Sequence, residues 1–171
     1  MKTNYKWILT VFLLSFFLAM FFTFIAETVI SNVSLIIGII ITLIIVFIGI
    51  ICDMVGVAIS TVRVEPFNAM ASKKIREAKT ALMLIKNKDK VSSIFCDVIG
   101  DVCGVITGST GTAIIVGIVM LTDVNSLLVS LIIMGLLSTI TITGKAIGKN
   151  IAMRNSTKII RTVSKLISIF K

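Results

Sequence analysis

The chain is 171 residues long and 57% hydrophobic, with a mean hydropathy of +1.11, 15% charged residues and no histidine. That is too apolar for a soluble domain, which runs near half apolar and a quarter charged. The formal charge of +9 is confined to three places, which excludes a nucleic-acid-binding reading and points to a multi-pass protein of the cell membrane.

Four apolar stretches, at 7–26, 35–60, 91–121 and 124–143, each approach or exceed the roughly 20 residues that cross a bilayer. Lys2 and Lys6 precede the first. Arg63 to Lys90 hold eight basic residues, Lys145 to Lys171 hold seven, and the two intervening turns hold none. Positive charge stays on the cytoplasmic side, so the pattern predicts an all-α bundle of four spans with both termini cytoplasmic. Anionic membrane lipid is the partner this basic side attracts. The first run is longer than a signal-peptide core and lacks a small-residue cleavage site, so it is read as a retained span.

Tyr5 and Trp7 mark the cytoplasmic edge of the first span, and Glu27 near its outer end reads as a solvated residue beside the Ser31-Asn32 turn. The second span is Ile-rich until C-D-M-V-G at 52–56. After the break at Pro66, residues 68–86 read as one amphipathic helix. Its apolar stripe is Ala71, Ile75, Ala78, Leu82 and Ile85, and it lies on the membrane surface or packs under the spans.

The third span carries C-D-V-I-G at 96–100, then Asp101, and surplus length that a tilt or kink must absorb. Gly100, Gly104 and Gly108 form overlapping G-x-x-x-G motifs that let another helix approach closely. In the fourth, Ser138, Thr141 and Lys145 share a helix face near the cytoplasmic end. Residues 155–170 form a second amphipathic helix, with Ile159, Val163, Leu166 and Phe170 on its apolar side. Three cysteines, all in predicted spans and without zinc-like spacing, read as small packing residues. No nucleophile and base pair and no phosphate-binding glycine loop is present, so the reading is not an enzyme.

Asp53, Asp97 and Asp101 are the residues to explain, because a carboxylate in an apolar span needs a partner, a cavity or an ion. Counting from Arg63 and Lys90 puts Asp53 and Asp97 roughly 10–15 Å inside the cytoplasmic edge, with Asp101 one turn deeper. Three carboxylates at similar depth repel one another unless a cation joins them. Oxygen ligands without histidine suit a hard ion such as Mg2+, with Na+ or a proton as other occupants. The expected metal ligands are Asp53, Asp97, Asp101, Ser60, Ser138 and Thr141, with Lys145 as counter-charge. The alternative is that the aspartates snorkel, pair with Lys145 or stay protonated in a packed bundle.

Residues 53–103, and 139–165 more loosely, resemble the transmembrane domain of the CNNM/CorC (CorB) magnesium transport proteins. Ala58 and Thr61 match the end of that family's S-G-x-E-x-A-L-x-S motif, in which Asp53 takes the place of the first Ser. Ala78, Leu82, Leu84 and Ile85 match its cytoplasmic helix, and N-K-D-K at 87–90 its N-P-x-R. Gly144-Lys145 match its P-K, and Arg154-Asn155 its R-N. Gly100-Asp101 falls on the family's G-N pair when two residues are inserted. Gly56 stands at the motif's Glu, Thr141 and Gly144 replace the Glu and Pro of its last motif, and the family's CBS pair is not expected here.

The resemblance implies a homodimer holding Mg2+ in a cytoplasm-facing cavity, with Na+ as the coupling ion. Residues 1–33 would be an additional span, 34–154 the three-span domain, and 155–171 a basic interfacial helix. The rival reading is a small membrane scaffold or regulatory subunit using the G-x-x-x-G face. A holin-like pore former is a third.

Overall fold

The computed structural model describes residues 5–122 and 124–169; Lys2, Phe170 and Lys171, named above, lie outside them. The described residues form helices and short connections, with no strand. In chain order these are α1 (Tyr5–Ser31), α2 (Leu35–Thr61), α3 (Glu65–Ser72), α4 (Arg76–Lys86), α5 (Lys88–Thr122) and α6 (Ser126–Ile169). Four of them, α1, α2, α5 and α6, are long and apolar enough to cross a membrane. Large apolar side chains such as Phe12, Phe16, Ile36, Phe47, Leu131 and Ile132 stand more than half exposed on them. Surface of that kind is stable against lipid and not against water, so the protein is membrane-associated.

The contacts define an up-and-down bundle. Ile30 of α1 faces Gly38 of α2, Gly49 of α2 faces Cys103 of α5, and Gly111 of α5 faces Leu137 of α6. Each successive pair is antiparallel, which leaves α2 parallel to α6 and α1 parallel to α5. α1 is the least embedded, with only Ala26 and Ile30 buried. At its start Lys90 sits over the Trp7 ring, 5.4 Å from the centroid, joining the beginnings of α1 and α5.

The short helices gather at the basic end. Pro66 sits in the first turn of α3, where a missing N–H costs nothing, so it opens a helix as well as ending the extended link after Thr61. The single helix expected over 68–86 is two. Lys74 adopts φ +56°, its N–H bonds to the Ala71 carbonyl, and the Ile75 N–H bonds to the Met70 carbonyl. That pair of bonds is a Schellman stop, closing α3 before α4 begins at Arg76. The stripe expected over this region persists in Ala78 and Ile85, both buried, and Ile85 joins Phe67, Ala81, Ala58, Ile59, Val62 and Ile160 in the principal core.

α5 is continuous, and its surplus length is absorbed by a π-helical stretch at Ile94–Gly100, which contains the whole second C-D-x-x-G motif. α6 consists of two helical segments meeting at a kink at Asn155, where the amphipathic helix expected over 155–170 begins, while the span expected over 124–143 continues as helix up to that kink. No proline interrupts the intervening G-K-A-I-G-K-N-I-A-M-R, and a bend at Asn155 (φ −119°, ψ 24°) takes up the change of direction. Beyond the bend the buried face is Ile160, Ser164 and Ser168, with Ile159 and Val163 at its margin, while Leu166 is 55% exposed. The expected stripe is therefore rotated, and Ser168 at its end lies beside Arg76, Lys79, Thr80 and Met83 of α4.

Candidate functional site

The two C-D-x-x-G motifs pack against each other. Gly56 lies so close to α5 that a Cβ there would collide with Cys96 Sγ and approach the Phe95 Cβ to 3.2 Å. Ser92 Oγ donates to the Gly56 carbonyl at 2.9 Å, and Cys96 Sγ donates to the Asp53 carbonyl at 3.5 Å. A Cβ on Gly100 would sit 3.6 Å from Asp53 Oδ1. Glycine in each motif therefore lets the backbones of α2 and α5 meet, and the space saved at Gly100 admits the Asp53 carboxylate.

Asp53 is 4% exposed. Its Oδ2 accepts no aligned hydrogen bond, although Lys149 Nζ of α6 lies 3.3 Å away as an ion-pair partner. Isolated and ionised, a carboxylate this buried would carry a desolvation cost of several kcal/mol, which a nearby cation or a bound proton must offset. One turn earlier on α6, Lys145 Nζ lies 3.3 Å from Asp101 Oδ1 and 3.4 Å from the Gly100 carbonyl. Two lysines four residues apart thus bridge α6 to α2 and to α5.

The glycines preceding those lysines make this reach feasible. A Cβ on Gly144 would collide with Ile50 Cδ1, and one on Gly148 would lie 3.4 Å from Ile50 Cγ2. α6 thereby lies against α2, and each following lysine emerges beside an aspartate. Lys149 was missed by sequence reasoning, which stopped at Lys145. The signal was the repetition of Gly-Lys at 144–145 and 148–149, one helical turn apart.

The expected ligands do not converge. Asp97 is exposed and accepts a 2.7 Å bond from Ser93, one turn back on its own helix. Asp101 is 70% exposed at its side chain and faces Lys145. Ser60 is exposed two turns beyond Asp53, its hydroxyl donating to the Val57 carbonyl. Among the described residues no three His, Cys, Asp or Glu side chains are grouped so as to hold a metal ion.

Ser138 and Thr141 do share a site, a groove of about 190 Å³ between α5 and α6, lined also by Gly104, Thr107, Gly108 and Leu137. Thr141 donates to the Leu137 carbonyl and Thr107 to the Cys103 carbonyl, leaving oxygen lone pairs free. A Cβ on Gly104 or Gly108 would meet nothing within 4 Å, so this part of the G-x-x-x-G face is open. Near the far end, Glu27, expected to be merely solvated, accepts a hydrogen bond from Ser109 of α5. Polar groups therefore recur along the bundle from Lys149 to Glu27.

The arrangement defines a polytopic helical membrane-associated protein with one carboxylate buried between spans and countered by a lysine. No family model, no curated protein and no solved structure matches the chain.

Proposed function

We propose that the protein binds a cation at Asp53 and moves divalent cations of the Mg2+ type across the cell membrane. The observation that carries this reading is the carboxylate of Asp53, a residue 4% exposed, whose buried Oδ2 accepts no hydrogen bond. It is packed against a π-helical stretch, a distortion frequently found at functional sites. A hard ion that keeps several of its waters needs only one or two carboxylates, so a single buried aspartate suffices as anchor. Asp101 and Asp97 add negative charge on the exposed side of α5, and Thr107, Ser138 and Thr141 offer oxygens further along.

By the distribution of basic residues the α3–α4 end faces the cytoplasm. The motif resemblance to the CNNM/CorC transporters agrees in substrate class, with Na+ as coupling ion and a homodimer as assembly. A second reading, a non-transporting scaffold, draws on a different observation: Asp53 and Asp101 are both matched by lysines, which pin α6 to its neighbours. The two part in proteoliposomes holding a Mg2+ indicator dye. Mg2+ flux with wild type that disappears in Asp53→Asn supports transport. No flux with either protein, when both are folded, leaves the scaffold.

A further inference from the structure

We infer that Lys149 is a tethered competitor for the transported cation: its ammonium and the ion occupy the Asp53 carboxylate in turn. The inference rests on the reading of Asp53 as the cation anchor. A carboxylate in this position is not left bare at any stage, because an uncompensated buried charge is far costlier than a paired one. Whatever binds there must therefore replace Lys149, and whatever leaves must be replaced by it.

The two lysines of α6 differ in the way this exchange demands. Lys145 is held at two points, the Gly100 carbonyl and Asp101 Oδ1, and its side chain is 21% exposed. Lys149 makes no hydrogen bond among the described residues and its side chain is 50% exposed, while its partner Asp53 is 5% exposed at the side chain. The anion is fixed and its counter-cation is free to swing. A four-carbon stem carries the ammonium out to a polar edge without moving the helix. Gly148, packed on Ile50, meanwhile holds the backbone in place.

Competition by a tethered charge weakens the apparent affinity for the ion and speeds its release, which a conducting site requires. The ligand class is a small hard cation with oxygen preference, since its anchor is a carboxylate and the Cys96 thiol beside Asp53 is turned to the Asp53 carbonyl at the α2–α5 contact.

The test is Mn2+ binding to the full chain in detergent, read from loss of the free-ion paramagnetic resonance signal and repeated with Mg2+ as competitor. Lys149→Gln is expected to bind at least about tenfold more tightly than wild type. Lys149→Arg should bind no more tightly than wild type, and Lys145→Gln should stay within about twofold of it. Equal or weaker binding by a folded Lys149→Gln overturns the competitor role while leaving Asp53 as a cation site. Absence of binding in every protein, Lys149→Gln included, overturns the cation reading itself. Wild type supplies a measurement that needs no variant. Mg2+ should accelerate acylation of Lys149 by a water-soluble amine-reactive ester, and unchanged or slower labelling also overturns the role.

Discussion

Gly56 of α2 and Cys96 of α5 touch so closely that a single methyl group on the glycine would overlap the cysteine sulfur. Overpacking of that kind costs about 1–3 kcal/mol. Gly56→Ala should therefore lower the midpoint of thermal unfolding in detergent. Gly104→Ala, where a methyl group meets nothing within 4 Å, should leave it nearly unchanged. Equal effects at the two positions would show that the motif contact does not hold α2 to α5.

The Asp53–Lys149 pair should respond asymmetrically to truncation. Lys149→Met strands a buried carboxylate and is expected to cost roughly 3 kcal/mol, the lower end for a broken buried pair because the lysine is half in contact with its surroundings. Asp53→Asn removes the buried charge and leaves a lysine that can turn outward, so it should cost less. Chemical unfolding curves of the two variants check the order. In the same samples MgCl2 should raise the midpoint of Lys149→Met and not that of Asp53→Asn.

Phe67 is completely buried beneath the spans, among residues from α2, α4 and α6. Phe67→Ala should cost about 3–5 kcal/mol. Because this core joins the short helices to the long ones, limited proteolysis should then cut between α3 and α4 first.

Lys74 holds a left-handed conformation, φ +56°, at the stop between α3 and α4. Glycine adopts that conformation without the Cβ penalty, so Lys74→Gly is expected to stabilise the protein by about 0.5–1 kcal/mol. Lys74→Val should do the opposite, and paired melting curves decide.

Ser109 and Glu27 tie α1 to α5. Interhelical hydrogen bonds of this kind average about 0.6 kcal/mol in membranes. A double-mutant cycle of Ser109→Ala and Glu27→Ala should return a coupling of that order. Zero coupling would mean that α1 is held by its apolar contacts alone.

Much of the fold is legible in the residues themselves. The run expected at 35–60 is the helix Leu35–Thr61, and the four apolar stretches each fall in a separate long helix. Hydropathy works here because backbone groups in lipid must bond internally, which leaves an apolar run of this length little alternative to a helix. Where a helix continues beyond its apolar part is harder. The basic stretch after Thr143 looks like an exit from the membrane, yet α6 runs through it because Gly144 and Gly148 pack on Ile50, a partner distant in sequence.

The carboxylates were identifiable as unusual, but not their directions. Placing Asp97 and Asp101 on one face assumed regular helical spacing, and the π-helical stretch at Ile94–Gly100 breaks that spacing. Lys149 was overlooked for a related reason: a lone lysine has no evident purpose until the aspartate of another helix is brought to it.

The packing of α6 limits how its charges can move. The helical segment that bears Lys149 also carries Ala152, fully enclosed in the core beneath the spans, and Gly148, set against Ile50. A rigid rotation or slide large enough to part Lys149 from Asp53 would draw both residues out of their packing. The ammonium alone can leave at little cost, so the slow elements of the bundle stay in place while a side chain does the travelling.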